Sequence, residues 1–195
     1  MILVRTIHVF IKLVPVILAL RKDRILWISQ EGKDIDEKRF QRNAQRILNT
    51  CISLGPVFIK FGQWLSSRAD ILPQPYLKEL SKLQDSVPAV SFEKIRPIIE
   101  EDIGKIEEKF DKLDQNSLSG ASLGQVHLAI KNGQQVIVKV RRPGIEKQVE
   151  RDLKVLMKII PFVMKFVDPN LRFSIIPIMK QFGESIHEEM DYSKE

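Results

Sequence analysis

The chain has 195 residues, 44% of them hydrophobic and 29% charged, the length and apolar content of about one domain with a real core. Nine Gly and ten Pro exclude collagen-like and low-complexity classes. A lone cysteine, Cys51, excludes an intramolecular disulfide, matches no zinc-site spacing and fits a reducing compartment. The net charge of +6 is uneven: residues 1–50 carry ten Lys/Arg against five Asp/Glu, while the remainder carries twenty-one against twenty. Basicity is thus a property of the N-terminal segment, which argues against a nucleic-acid reader, whose basic patch sits on the folded module.

Residues 1–20 are long enough to span a bilayer, but a span would bury Lys12 near its centre at a cost of about 2.5–3.5 kcal/mol. Arg5, His8 and Lys12 fall on one helical stripe, with Arg21, Lys22 and Arg24 following. That is the pattern of a basic amphipathic helix lying on an anionic membrane face. A true span, packing on the protein's own body and a signal peptide are the alternatives, the last without a small-x-small cleavage site.

A polar-rich helix is predicted from Asp36 to Ser53, ended by Gly55-Pro56. The next, Val57 to about Arg68, sets Phe58, Phe61 and Leu65 on one face and Lys60, Gln63 and Ser67 on another, either a solvated side or a polar site reached by Lys60 and Gln63 together. Tyr76 to Gln84 gives a short helix, and Ser91 is a candidate N-cap for a helix through Ile103, closed by Gly104. A charged segment, Lys105 to Asp114, leads onward.

The periodicity changes at Ser119. A small-residue turn, Ser119-Gly120-Ala121-Ser122-Leu123-Gly124, runs into a strand from Gln125 to Ile130, and Asn132-Gly133 turns the chain into a second strand, Gln134 to Arg141. Val136, Val138 and Val140 point one way, and Ile137, Lys139 and Arg141 the other. A small-residue turn feeding a strand, with a hairpin returning a lysine beside it, suits phosphate binding: small side chains let backbone N–H groups approach the oxygens and the lysine supplies a point charge. An ordinary surface hairpin has the same composition. Ile145 to about Ile160 reads as an amphipathic helix stopped or kinked by Pro161, and a last helix from Ser174 carries Pro177 in its first turn. On it Glu184, Glu188, Asp191 and Glu195 form a carboxylate row, solvated or met by a cation.

The segments GPVFIKFGQWLSSRADILP, SGASLGQVHLA, VIVKVRRPG and Glu189-Met-Asp191 resemble, in that order, the UbiB (AarF-type) atypical protein-kinase-like family over roughly residues 50–195. The resemblance implies an α+β fold: a helical N-terminal extension followed by a kinase-like N-lobe, a small antiparallel sheet plus helices, without the C-lobe. The chain then divides into a membrane-facing segment at 1–24, read from its own charge and apolar pattern, an extension with the Lys-x-Gly-Gln motif at 25–112, and the lobe at 113–195. It implies ATP or ADP bound with Mg2+, the metal ligands being expected in the missing C-lobe. Lys139 would contact the phosphates, Ser119, Gly120, Ala121, Ser122, Gly124 and Val126 would form the loop and its strand, and Glu195 would face the lysine. Lys60, Gly62 and Gln63 match the extension motif, which in the family enters the nucleotide site, and Glu189 and Asp191 match its Glu-x-Asp pair. The family loop usually reads Ala-Ala-Ala-Ser, so Gly120 is a departure. On a regular helix Glu189 and Asp191 lie about 200° apart, so the expected pairs are Lys139 with Glu195, and Lys60 with Glu189 or Asp191.

No His-Gly-Asp, His-Arg-Asp or Asp-Phe-Gly occurs in these residues, and phosphoryl transfer needs those groups. The chain therefore reads as the front of a longer protein, without catalytic or metal-binding residues of its own, inactive alone and located on the cytoplasmic face of a membrane. The family's association with ubiquinone or related isoprenoid-lipid metabolism implies a membrane or isoprenoid lipid partner, with a C-lobe or a second copy as further partners. The alternative is a finished non-catalytic membrane-associated interaction protein.

Overall fold

The computed structural model describes residues 2–33, 35–85, 89–167 and 171–194. Its elements are α1 (Ile2–Ser29), α2 (Glu37–Leu54), α3 (Pro56–Ser66), α4 (Gln74–Leu80) with a 3-10 turn at Ser81–Asp85, α5 (Phe92–Ile103), α6 (Ile106–Lys109), β1 (Lys112–Gly120), β2 (Gly124–Lys131), β3 (Gln134–Arg141), α7 (Ile145–Val167), α8 (Leu171–Met190) and a 3-10 turn at Tyr192–Lys194. Packing divides them into two compact units, 1–83 with 148–195, and 84–147. The sequence reading cut the chain at 24 and 112; packing groups α5 and α6 with the sheet, and most of α7 and all of α8 with the N-terminal helices.

In the first unit, α2 buries Phe40, Ala44, Leu48, Cys51 and Leu54, one stripe at helical spacing. Asp36 caps this helix by accepting from the Arg39 N–H at 3.0 Å. Its end is forced by Gly55, whose φ of 98° only glycine adopts readily, with Pro56 opening α3. Helix α1 buries Val9, Leu13 and Val16, and near its end the fully buried Asp23. That carboxylate accepts from Asn43 Nδ2 at 2.9 Å and Tyr76 Oη at 2.7 Å. Arg39 approaches its other oxygen at 2.8 Å as an ion pair, off hydrogen-bond angle. The set ties α1 to α2 and α4, and burial with the neighbouring carboxylate pushes the Tyr76 phenol far above its ordinary range.

Two helices run differently from expectation. α7 continues through Pro161 to Val167, because its buried stripe, Val149, Leu153, Leu156, Ile160 and Val163, continues through the proline. The ring removes one N–H, whose partner would be the Met157 carbonyl, and Met157 and Phe162 lie on the exposed side where water can serve that oxygen. α8 starts at Leu171, which places Pro177 beyond its first turn.

The second unit is a three-stranded antiparallel meander, ordered β1-β2-β3, with α5 and α6 against one face. Ile95, Ile99 and Ile106 pack with Val140, Val138 and Leu113. The turn between β2 and β3 is Asn132-Gly133, both with positive φ, 52° and 74°, the two-residue hairpin turn the dipeptide favours. Strand β1 departs from expectation: the sequence predicts a charged segment from Lys105 to Asp114, a turn at Ser119–Gly124 and a first strand at Gln125, whereas β1 spans Lys112–Gly120, so Ser119 and Gly120 close a strand and the turn proper is Ala121 to Leu123. As an edge strand exposed along most of its length, with irregular register around Ser117, it carries no apolar alternation to read.

Candidate functional site

In the sheet unit, the register pairs Val126 with Lys139 and Leu128 with Ile137 across β2 and β3. Directly paired residues project to one face, so Val126, Leu128, Ile137 and Lys139 share a face opposite the one that buries Gln125, His127, Ala129 and Val140. The Lys139 face is open within its unit: the lysine is exposed and Ile137 is 58% exposed. Ser119 pairs with Val126 and Gly120 with Gln125, which brings the small-residue turn to the Lys139 end of the sheet.

That turn is compact. Ala121 N–H donates to the Gly124 carbonyl at 2.9 Å, and the Ser122 and Leu123 residues are buried. It is held from β3's end: Arg142 N–H donates to the Leu123 carbonyl at 3.0 Å and Arg142 Nε to the Ala121 carbonyl at 3.0 Å. Burial lowers the pKa of this guanidinium from its ordinary value. On the covered face, Gln125 presents its side-chain amide as a strand would present a peptide, accepting from Val90 N–H at 2.8 Å and donating to Val90 C=O at 3.1 Å. Its second amide hydrogen meets His127 Nε2 at 2.8 Å, which leaves the ring proton on Nδ1, donating to the Asp114 carbonyl at 2.8 Å. All the amide's donors are used, as a buried polar group requires.

In the helical unit, Lys60 of α3 and Glu189 of α8 form an ion pair. Around it Phe61 meets Phe182 edge-on at 5.1 Å between centroids, Trp64 lies 5.9 Å from Phe182, and Arg68 stacks over Trp64 at 5.0 Å. Arg68 also grips Asp70 with Nε and Nη2 at 2.8 and 2.6 Å, which holds that carboxyl below its usual range. Gln63 donates to the Leu83 carbonyl at 3.0 Å. Gly62 has a packing reason: a Cβ there would stand 2.4 Å from Leu83 Cδ1 and 3.2 Å from Cys51 Sγ. The glycine lets α3 approach α2 closely.

α8 ends at Met190, so Asp191 leaves the helix and accepts from the Ser193 N–H and hydroxyl, capping the final 3-10 turn. The helical argument separating Glu189 from Asp191 therefore does not apply to the folded chain. Glu195, expected opposite Lys139, lies outside the described residues. Among the described residues no three His, Cys, Asp or Glu side chains converge on a metal position. A cleft of about 210 Å³ beside Phe92, Phe110 and Leu113 shares no residue with the loop or Lys139.

Two of the N-terminal cations, Arg5 and Lys12, face the protein rather than lipid, whereas His8, Arg21 and Lys22 are exposed. Arg5 grips buried Asp152 of α7 and the Leu54 carbonyl, and Lys12 donates to Ser53 Oγ at 2.9 Å. The first half of α1 exposes mostly apolar side chains: Leu3, Val4, Ile7 and Ile11 are 51–73% exposed. Sequence reasoning missed Arg5 and Asp152 as partners, and Gln125, His127 and Arg142 as supports of the turn. For Gln125 and His127 the signal was present, two polar residues sharing a strand face with Ala129.

A helical extension joined to an antiparallel meander, with a small-residue first turn and a lysine on the third strand, defines an α+β protein with a kinase-like N-lobe. Residues 82–195 match the ABC1 atypical kinase-like domain, and the chain belongs to that family. It is 39% identical over 174 residues to the protein named activity of BC1 complex kinase 8, chloroplastic, of Arabidopsis thaliana, covering 86% of this chain and 23% of that protein. It is 34% identical over 179 residues to a probable protein kinase UbiB of Aeromonas salmonicida, covering 90% of this chain and 32% of that one. Among solved structures, the complex of Rv3197 with erythromycin from Mycobacterium tuberculosis is similar at 28% identity and a TM-score of 0.41, over 69% of this chain and 34% of that chain. The chain thus spans about a quarter to a third of these curated relatives' length.

Proposed function

We propose that this chain supplies the nucleotide-binding lobe of a UbiB-type atypical kinase or ATPase that acts at a membrane in ubiquinone or related isoprenoid-lipid metabolism. The observation that carries the reading is the pairing of Lys139 with Val126 on the open sheet face, beside the turn of Ser119–Gly124. Bound there, ATP or ADP would set its base against Val126 and Ile137 and its phosphates against Lys139 and the turn, where small side chains admit a close approach. Magnesium would arrive with the nucleotide and offset phosphate charge. The turnover expected of this chain alone is negligible, because its sequence holds no catalytic-loop or Asp-Phe-Gly segment. Photolabelling with 8-azido-ATP tests the site: label should map to the β2 and β3 peptides and be competed by ATP, and label confined to other peptides would contradict the reading.

The membrane part of the proposal rests on α1, which is long and apolar enough to cross a bilayer. Its inward Arg5, Lys12 and Asp23 favour a helix lying on the surface, its outward apolar residues in the acyl boundary and Arg21 and Lys22, both exposed, at headgroup level. The cytoplasmic face is the side on which nucleotide is available.

A further inference from the structure

We propose that Arg142 is a positioning residue for the small-residue turn, holding the turn in its nucleotide-binding shape through its Nε contact to the Ala121 carbonyl rather than by offering its charge to phosphate. The inference deepens the nucleotide reading and rests on it.

Three bonds define the geometry. Ala121 N–H closes the turn onto Gly124, Arg142 N–H holds the Leu123 carbonyl, and Arg142 Nε holds the Ala121 carbonyl. The last two come from one residue just past β3, so the turn is fastened to the strand that carries Lys139, three positions earlier. The guanidinium is half-buried, and a charged donor on a half-buried carbonyl makes a stronger bond than a neutral one. Gly120 makes such a fastening necessary: a glycine at the entrance of the turn gives the backbone freedom that an alanine would remove. In ordinary nucleotide-binding loops several glycines serve a mobile flap; here the segment between its two flanking glycines, Gly120 and Gly124, is fastened by an external clamp.

Two substitutions separate position from charge. Arg142→Gln places an amide nitrogen at the same bond count from the backbone as Nε and carries no charge. Arg142→Lys keeps the charge and puts a methylene where Nε was. Fluorescent MANT-ADP affinity and hydrogen exchange of the peptide covering residues 119–125 are measured for the 195-residue chain and for the Gln, Lys and Ala variants, with melting temperature as the folding control. Affinity within threefold of wild type in the Gln variant, with roughly tenfold loss and roughly tenfold faster turn exchange in the Lys and Ala variants, is the expected result, the scale of one charge-assisted hydrogen bond. Retention of affinity by Lys with loss in Gln would overturn the proposal and make Arg142 a phosphate ligand. Unchanged or raised affinity in the Ala variant would overturn it as well. If the wild-type chain binds no nucleotide, the nucleotide reading fails by itself. The exchange pattern still decides the clamp: protection in Gln and its loss in Lys and Ala support it, and equal exchange in all four chains overturns it.

Discussion

Arg5, in the second turn of α1, holds both carboxylate oxygens of Asp152, with Nε at 2.9 Å from one and Nη2 at 2.7 Å from the other, across 147 residues of sequence. Asp152 is fully buried, and Arg151 adds a further contact at 3.0 Å. Removing one partner of a buried pair leaves an uncompensated charge, which costs about 3–5 kcal/mol. Arg5→Ala should therefore lower the unfolding free energy by about 2–3 kcal/mol, Arg151 softening the loss, and Arg5→Glu by more. Urea titration checks this; an Arg5→Glu chain as stable as wild type would show that α1 does not depend on Asp152.

The same contact reverses the expectation for membrane binding. Because Arg5 and Lys12 serve the protein and Ile7 and Ile11 face outward, Ile7→Glu with Ile11→Glu should abolish flotation with anionic vesicles while leaving the melting temperature within a few degrees. Each exposed side chain removed from lipid forfeits about 1.5–3 kcal/mol of burial. Flotation that survives this pair would place the membrane contact elsewhere.

Gly62→Ala sets two effects against each other. Alanine gains about 1 kcal/mol in helix propensity, but its methyl would stand 2.4 Å from Leu83 Cδ1, and overpacking a core costs about 1–3 kcal/mol. Leu83 is fully buried and cannot swing into solvent, so net destabilisation is expected, and Leu83→Ala in the same chain should recover part of it. A double-mutant cycle with no coupling between the two positions would contradict this.

Cys51 gives a pH dependence. Burial pushes its thiol from 9.0 up to about 12, so the native state resists ionisation that the unfolded chain undergoes. Its contribution is fully present below pH 9 and is lost as pH rises toward 12, at about 1.4 kcal/mol per pH unit. Between pH 8 and pH 10 the wild-type chain should lose about 1 kcal/mol more stability than Cys51→Ala, whose own cavity lowers both points equally. Parallel stability curves for the two chains would refute the buried thiol.

How much was legible in the sequence follows the range of the interactions. The β2–β3 hairpin was readable because Asn132-Gly133 sets its turn locally and valines alternate along β3, and the Lys-x-Gly-Gln helix because its aromatic spacing is regular. β1 was not, since an exposed edge strand needs no apolar alternation, and Asp114 to Ser117 reads as loop. The end of α7 was misplaced because Pro161 has a local cost that a buried stripe on either side outweighs. The role of Arg5 was hidden for the opposite reason: a helix carrying cations every third or fourth residue looks the same whether they meet lipid headgroups or a buried carboxylate 147 positions away.

The nucleotide proposed for the open face of the sheet would depend on Lys139. Isothermal titration of MgATP and MgADP into the chain and into Lys139→Ala tests it most directly. Saturable 1:1 binding by the wild-type chain and at least a tenfold weaker affinity in the variant are expected, with melting temperature as the folding control. Equal affinities in two equally stable chains, or no binding by the wild type, would contradict it.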